Sequence, residues 1–316
     1  MNIEKEPVLI GLDWGTTSLR CYLMADDGTV LNEKSSDDGI MTVEPGRYEA
    51  VLGKSLEAWL GDHRRYPIVA SGMVTSPQGW IEIPHLECPS GAGALAAALH
   101  RHDLANGIRV HFITGLRMTG SDGVPDVMRG EETQIVGALT DGDEDRLFVL
   151  PGTHSKWALT TDGGIAWFAT FMTGEVYSVL RRHSILGRLI DTDEDNVEWF
   201  DRGVDYGLST DPIAGGLLKK LFGTRALRLF DEVPASGAAS HLSGLLIGTE
   251  IRDATYCVAD RVPIEKVTIL GESGLVALYV RAIARSGLAA IQGPNAAAAR
   301  GHHVIARAAG LIESDE

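Results

Sequence analysis

Two short segments of the chain have residue types and spacing that suit an anion. Each reads Gly-Thr-x-Ser and follows an apolar run, and a basic residue comes soon after, Arg20 two positions past Ser18 and Lys156 directly past Ser155. The two segments are Gly15-Thr16-Thr17-Ser18 and Gly152-Thr153-His154-Ser155. Glycine lets backbone N–H groups approach an oxygen closely, and the hydroxyls add donors. Together they predict two turns that hold a chain of phosphates from both sides.

Three carboxylates and one arginine could act on such a phosphate chain. Asp13 ends the apolar run before Gly15, where a lone carboxylate suits Mg²⁺ or forms an Asx turn. Glu131 and Glu132 begin a predicted helix. Either could accept a hydroxyl proton in phosphoryl transfer or cap the helix, and we favour Glu131 as the base. Arg129 could neutralise an anionic substrate or lie at the surface.

A third glycine cluster could hold a nucleoside. Gly271, Glu272 and Ser273 follow an apolar run and open a helix, and helix N-termini suit phosphate or ribose. Gly244 and Gly248 lie four residues apart on another predicted helix. They either line the floor of a nucleotide site or allow close helix packing. The remaining substrate-site candidates lie in loops: Gly72, Met73, Trp80, Met172 and Thr173. For Trp80 the alternative is an aromatic that packs in a lid, and for Met172 it is packing in the core.

The two Gly-Thr turns belong to a longer repeat. Each copy has an apolar strand, the turn, a second strand and an Asp-Gly turn, and Gly15 and Gly152 are 137 positions apart. The alternative is chance recurrence of Gly-Thr dipeptides. The repeat predicts two homologous lobes, residues 1–145 and 146–316, each opening with a β-hairpin. The boundary is expected in the acidic loop 140–145, and the final helix is expected to pack back on the first lobe.

Short apolar runs alternate with helical patterns, which indicates an α/β protein with a largely parallel sheet. The predicted strands cover residues 8–13, 21–25, 67–71, 110–113, 146–150, 156–160 and 266–270. The predicted helices cover residues 48–60, 93–101, 131–139, 176–186, 238–253, 274–286 and 295–309.

Composition excludes several classes of protein. The net charge is −15 over 316 residues, which argues against nucleic acid and anionic membranes as partners. The three cysteines are widely spaced, the first residues resemble no signal peptide, and no run of about 18 apolar residues occurs, so we expect a cytoplasmic protein. P-loop, HExxH and GxSxG motifs are absent, and the glycines at 91 and 93 follow no apolar strand.

Several motifs resemble those of known ATP-dependent enzymes. "GLDWGTTSLR", "LPGTHSKW" and "LGESG" resemble the two phosphate motifs and the adenosine motif of the actin, heat-shock ATPase and sugar kinase superfamily. "RGEETQIVG" is similar to the catalytic motif of FGGY sugar kinases, with Glu131 or Glu132 standing where that family has aspartate. Pro151 departs from the pattern, because many members carry an acidic residue there. With "ASGMVTSPQGW" and "TFMTGE", nearly the whole chain resembles the 2-dehydro-3-deoxygalactonokinase family.

The resemblance implies two duplicated ribonuclease H-like lobes, as in actin-like ATPases, with a nucleotide cleft between them. It also implies transfer of a phosphoryl group from ATP, with Mg²⁺, to the 6-hydroxyl of 2-dehydro-3-deoxy-D-galactonate in galactonate breakdown. The alternatives are another sugar or sugar-acid kinase, a nucleotide or polyphosphate hydrolase of the same fold, or an inactive binding module. The sequence leaves the oligomeric state open, with a homodimer as one option.

Overall fold

The structure, a computed structural model, describes residues 5–60, 66–139, 146–190, 192, 194–263 and 265–313. Its contacts divide the chain into two compact units. Unit 1 comprises Met1–Asp145, Leu159–Phe168 and Pro294–Glu316, and unit 2 comprises Arg146–Ala158 and Ala169–Gly293. The predicted boundary loop, 140–145, lies outside the described residues. No helix in the described ranges is both long and apolar enough to span a bilayer.

The elements alternate along the chain, as the apolar pattern predicts. Up to residue 139 they are β1 (Pro7–Trp14), β2 (Leu19–Ala25), β3 (Val30–Ser36), α1 (Tyr48–Leu60), β4 (Ile68–Ser71), β5 (Leu86–Glu87), β6 (Ser90–Gly91), α2 (Ala92–Ala97), β7 (His100–Asp103), β8 (Arg109–Phe112), β9 (Leu116–Thr119), β10 (Pro125–Met128) and α3 (Glu131–Ala138). From residue 146 they are β11 (Arg146–Leu150), β12 (Ser155–Thr161), β13 (Gly164–Phe171), α4 (Thr173–His183), α5 (Val197–Leu208), α6 (Leu217–Leu229), α7 (Ala235–Val258), β14 (Lys266–Ile269), α8 (Ser273–Arg285), β15 (Ala289–Gln292) and α9 (Ala297–Ala308).

Both halves of the chain contain a sheet with the same strand order. The first sheet runs β3-β2-β1-β4-β8-β7, and the other contains the equivalent series β13-β12-β11-β14-β15, with β6 added beside β13. A small sheet, β10-β9-β5, completes unit 1. The shared order confirms the duplicated α/β lobes. It also shows why the Gly-Thr turns correspond, since each links the central strand to its hairpin partner.

The sheets are mixed, which corrects the expectation of a largely parallel sheet. β1 pairs antiparallel with β2 and parallel with β4, and β4 pairs parallel with β8. The parallel pairing puts Asp13 of β1 directly beside Ser71 of β4. Side chains that follow these two strands therefore lie close together, because the carboxyl ends of parallel strands meet at one edge of a sheet.

Every predicted helix has a counterpart in the structure, but one is shorter than predicted and two further helices were missed. The helix predicted at 93–101 ends at Ala97, and residues 100–101 belong to β7. α5 and α6 were not predicted. The buried residues of α5 do follow a helical spacing, but two of them are the glycines Gly203 and Gly207, which weaken a helical signal.

Glycines hold α5 and α7 in close contact. A Cβ added to Gly244 of α7 would overlap the carbonyl oxygen of Phe200, and one added to Gly248 would overlap that of Val204. Gly203 and Gly207 of α5 meet the α7 backbone in the same way. The structure therefore corrects the nucleotide-binding prediction for Gly244 and Gly248, because both glycines are enclosed between two helices.

Adding one methyl group at this helix contact is expected to destabilise the protein strongly. The Gly244→Ala variant should lose about 3 kcal/mol or more of unfolding free energy, because backbone atoms must move apart to admit the Cβ. Urea denaturation measures the loss. Gly53→Ala in α1 is the matched control, because no atom lies within 4 Å of its added Cβ and the helix gains propensity. Equal midpoints for the two variants would contradict the packing role.

Candidate functional site

The first Gly-Thr turn is a closed and braced loop in unit 1. The N–H of Gly15 donates to the Ser18 carbonyl at 2.9 Å. The N–H of Ile40 donates to the Gly15 carbonyl at 3.0 Å, which ties the turn to the next loop. Thr16 and Thr17 are exposed, so their hydroxyl groups can reach a ligand. The turn is thus rigid in its backbone and open at its side chains, as a phosphate site requires.

Asp13 lies where β1 meets this turn, close to two other predicted site residues. A Cβ built on Gly72, which has φ of 95°, would lie 3.5 Å from Asp13 Oδ1. Burial raises the pKa of the Asp13 carboxyl, the charge of Arg20 lowers it, and the neighbouring Glu131 raises it further. Among the described residues, no group donates a hydrogen bond to the Asp13 carboxylate. A buried carboxylate with no hydrogen-bond donor suits a bound cation, or a ligand that donates a hydrogen bond to it.

Glu131 and Glu132 have different surroundings although they are adjacent in the chain. Glu131 is half-buried, and its Oε2 accepts from the N–H of Arg129 at 2.9 Å. Glu132 is fully buried, and its carboxylate accepts from the Gly130 N–H at 2.7 Å and from the Thr133 hydroxyl at 2.9 Å. Burial raises the pKa of Glu132 to about 7. Glu132 is therefore held at the start of α3 inside the unit, which favours Glu131 as the base, and the choice between the two stays a prediction.

Trp80 belongs to the core of unit 1, which corrects its substrate-binding prediction. Its ring stacks on Tyr48 with centroids 5.9 Å apart and meets Trp14 and Phe112 edge to face. Met73 is partly buried against the same cluster. Gly72 differs from both residues, because it is backbone at the edge where Asp13 lies. The segment after β4 therefore contributes backbone to the site and packs its large side chains inward.

The second Gly-Thr turn, in unit 2, is held by the start of α4. Gly174 approaches the Gly152 carbonyl too closely to carry a side chain, and the Glu175 N–H donates to the Thr153 carbonyl at 3.0 Å. The exposed His154 pairs through Nε2 with the Glu175 carboxylate. Gly152 and Thr153 are left facing solvent, so this turn is also braced but open.

Ser155 and Lys156 are buried, unlike Thr153 and His154 of the same turn. Ser155 is fully buried, and its hydroxyl donates to Glu250 Oε1 at 2.7 Å. Lys156 is also buried, and its Nζ donates to the His154 carbonyl at 3.2 Å. The Glu250 contact argues against a phosphate role for the Ser155 hydroxyl, whereas the Lys156 ammonium lies at the turn and its phosphate-binding role stays a prediction. β12 is covered on both faces, whereas Arg20 on β2 is exposed.

Glu250 is a residue that sequence reasoning missed. It lies at the centre of unit 2, where Oε1 accepts from Ser155 and from Trp157 Nε1 and Oε2 accepts from the Tyr279 hydroxyl at 2.6 Å. The Thr173 hydroxyl also bonds to it. Burial raises the pKa of Glu250, and these bonds lower it. An acidic residue among the buried apolar residues of a helix was the available signal.

A cavity of about 310 Å³ opens beside the second turn within unit 2. Gly152, Thr173 and Gly174 form its turn side, and helices α4, α5, α7 and α8 form its other walls. The helix walls include Tyr177, Arg181, Asn196, Phe200, Ser240, Ser243, Ile247, Leu275 and Leu278. The lining is mostly apolar with a few hydroxyl, amide and charged groups, which suits a planar base and a sugar.

The predicted adenosine segment lies close to that turn. Gly271 has φ of 151°, and a Cβ built on it would lie 3.7 Å from the Pro151 carbonyl oxygen. Gly271, Glu272 and Ser273 are exposed, although the Glu272 carboxylate caps α8 by accepting from the Gly274 N–H at 3.1 Å. Met172 is 52% exposed at the start of α4. These residues remain available to a ligand. The serines of α7 that line the cavity were missed, because no sequence pattern marks them.

His302 ties α9 to the strand edge that carries the first site. It is fully buried against Gly11, and its Nε2 lies 2.9 Å from the Ser71 hydroxyl. Burial lowers the pKa of His302 to about 3. The side chain is therefore neutral in the folded protein at any pH above that value.

We expect His302 to make the protein less stable in mild acid. Below pH 6.5 the unfolded chain binds a proton at this residue and the folded chain does not. The free energy of unfolding therefore decreases as the pH is lowered from 6.5 to about 3. Between pH 7.5 and pH 5 the loss from this residue is about 2 kcal/mol. Replacing His302 with glutamine should remove that part of the pH dependence, measured by urea denaturation at both values. The exposed His100, replaced likewise, is the control, and an unchanged slope in the His302 variant would contradict the assignment.

The fold defines the class of protein. The chain aligns with component A of the (R)-2-hydroxyglutaryl-CoA dehydratase of Acidaminococcus fermentans at a TM-score of 0.52 and 10% identity, over 96% of this chain and 100% of that one. This likeness concerns the fold alone. With two sheets of equal strand order and a Gly-Thr turn in each, the chain has the actin-like ATPase and sugar kinase fold, as predicted.

The family follows from the sequence. The model of the 2-keto-3-deoxy-galactonokinase family matches residues 13–305, and the chain belongs to this family. The 2-dehydro-3-deoxygalactonokinase of Escherichia coli is 33% identical, over 88% of this chain and 90% of that protein. A solved structure from Sinorhizobium meliloti, assigned to the same activity, is 32% identical with a TM-score of 0.83 and covers 95% of this chain and 98% of its own. The predicted family is thereby confirmed.

Proposed function

We propose that this protein transfers the γ-phosphoryl group of ATP to the 6-hydroxyl of 2-dehydro-3-deoxy-D-galactonate, giving the 6-phosphate. Membership of the family and the name of the E. coli relative support the substrate. The observation that carries the chemistry is the pair Asp13 and Glu131, two neighbouring carboxylates beside the open Gly15 turn. Phosphoryl transfer needs little more than such positioning and neutralisation of charge.

Unit 2 is proposed to bind the nucleotide. The cavity beside Gly152 takes the adenosine, with Leu275 and Leu278 against the base and the serines of α7 as hydrogen-bond partners. The backbone of Gly152 and Thr153 then faces the phosphates. The volume of about 310 Å³ is at the lower end of the range for small-molecule sites, which agrees with a site that encloses the nucleoside and leaves the phosphates outside.

Unit 1 is proposed to bind the sugar acid and to activate its hydroxyl group. Glu131 accepts the proton of the 6-hydroxyl, and the Arg129 N–H holds the Glu131 carboxylate in place. Mg²⁺, when bound, neutralises charge on the phosphates, and Asp13 is the residue that would hold it together with water. In the described part of the chain no cluster of three metal-ligating side chains occurs.

A coupled ADP-release assay with the purified sugar acid tests the function. We expect turnover that requires ATP, Mg²⁺ and the acid, and a product with a phosphomonoester at C6 by ³¹P NMR. Folded protein that binds ATP but releases no ADP with this acid would overturn the proposal. Release of phosphate without any acceptor would instead identify a hydrolase.

Three free cysteines, Cys21, Cys88 and Cys257, agree with a reaction placed in the cytoplasm.

A further inference from the structure

We propose that Arg129 binds the carboxylate group of the sugar acid, and that Thr75, the Ile83 carbonyl and His85 orient its guanidinium for this purpose. The inference rests on the proposed function, because it names how that site distinguishes a sugar acid from a neutral sugar. It is carried by the contacts of Arg129, by its lack of an acidic partner and by its position next to the proposed base.

The guanidinium is held by neutral acceptors. Nη1 donates to Thr75 Oγ1 at 2.6 Å, and Nη2 donates to the Ile83 carbonyl at 3.0 Å. Nη2 also lies 3.1 Å from Nε2 of His85. His85 is neutral at pH 7, because burial and the charges of Arg129 and Arg117 lower its pKa to about 4. An arginine has five N–H donors, so the two hydrogen bonds and the His85 contact orient the group and leave at least two donors for a ligand.

Arg129 lacks the acidic partner that other arginines of the chain have. Arg281 and Arg285 form ion pairs with Asp201 and Asp205 on α5. No carboxylate in the described ranges lies within ion-pair distance of the Arg129 guanidinium. The group is half-buried, and this burial lowers its pKa despite the more distant charges of Glu132 and Glu82.

An unpaired, half-buried cation is costly, and this cost is unexpected in a chain of net charge −15. Acidic partners are abundant elsewhere in the sequence, with 43 Asp and Glu against 28 Lys and Arg. A bound carboxylate removes the cost by forming charge-assisted hydrogen bonds with the free donors. The energetic state of Arg129 therefore favours an anionic ligand at this position.

The position of Arg129 connects this anion site to the chemistry. Its backbone N–H donates to Glu131, and Thr75, which its guanidinium contacts, bonds back to the Gly72 carbonyl at 3.1 Å. Gly72 in turn lies against Asp13. One connected set of hydrogen bonds thus holds both the carboxylate site and the site of the reacting hydroxyl group. A sugar acid carries these two groups at opposite ends of its carbon chain.

The test compares the sugar acid with its C1 carboxamide, which has the same shape and no charge. In the unaltered enzyme kcat/KM for the acid is expected to exceed that for the amide by about 10²-fold, the usual value of one charge-assisted contact. In Arg129→Gln this ratio should fall to near 1, mainly through the KM for the acid. Arg117→Gln is the matched control, because that arginine is exposed and already paired with Glu87 at 3.1 Å, and its ratio should stay high.

A second variant keeps the test decisive if Arg129→Gln fails to fold. His85→Ala retains the guanidinium and removes one of the groups that orient it. The ratio of kcat/KM for the acid to that for the amide should therefore fall about tenfold. Equal kcat/KM for acid and amide in the unaltered enzyme, or an unchanged ratio in Arg129→Gln, would overturn the inference and leave the proposed function standing. Absence of any turnover of the acid by folded, ATP-binding enzyme would overturn the proposed function itself.

Discussion

Replacing Glu131 with glutamine is expected to lower kcat by about 10²- to 10⁴-fold, the range for loss of a general base. The amide cannot accept the proton of the substrate hydroxyl group, although it keeps the size of the side chain and can still accept the N–H of Arg129. KM for both substrates should change little, since the contacts made in the ground state are retained. Steady-state kinetics with the sugar acid and ATP measures both constants.

Glu132→Gln is the control, because the two residues are adjacent and chemically identical. Glu132 is fully buried and bonded to Gly130 and Thr133. With a pKa of about 7 it is partly protonated at neutral pH, so the neutral amide resembles a form that the protein already contains. We expect kcat within about tenfold of the unaltered enzyme. A larger loss in Glu132→Gln than in Glu131→Gln would assign the base to Glu132.

Replacing Glu250 with alanine is expected to have the largest effect on stability, a loss of about 3–5 kcal/mol. The change removes the acceptor of the Ser155, Trp157 and Tyr279 donors and leaves them buried without a partner. It also opens a cavity between α7, α8 and β12. Urea denaturation followed by tryptophan fluorescence measures the loss.

Glu250→Gln separates the hydrogen bonds from the volume of the side chain. Its amide oxygen can still accept from Ser155 and Trp157, and the Tyr279 hydroxyl can turn to accept from the amide N–H. The loss should therefore be about 1–2 kcal/mol. Because Ser155 directly follows the second Gly-Thr turn, we also expect a higher KM for ATP in Glu250→Ala. A denaturation midpoint in Glu250→Ala equal to that of the unaltered protein would contradict the anchoring role.

Local patterns in the sequence were enough to predict the duplication and its elements. β1 and β11 are apolar runs that end at Gly-Thr turns, and β2 and β12 are the runs that follow, so each hairpin closes between residues that are close in the chain. The repeat also predicted that the two lobes are alike, and the strand order that they share is known only from the structure. The two candidates for the general base, Glu131 and Glu132, and the family also came from short contiguous motifs.

The roles of individual site residues depended on contacts between distant parts of the chain. The sequence favoured Glu131 over Glu132 without a physical reason for the choice, because only the packing of α3 shows which carboxylate is buried. Ser155 fits a phosphate motif, yet Glu250, 95 positions later, takes its hydroxyl group inward.

The sequence by itself determined the fold, the two turns and the family, since these are written in neighbouring residues. Only the tertiary structure decided which side chains of those motifs face a ligand. Gly244 and Gly248 serve helix packing, Trp80 fills the core and Arg129 is left without an acidic partner. The physical reason is that the exposure of a side chain is set by which remote element covers it.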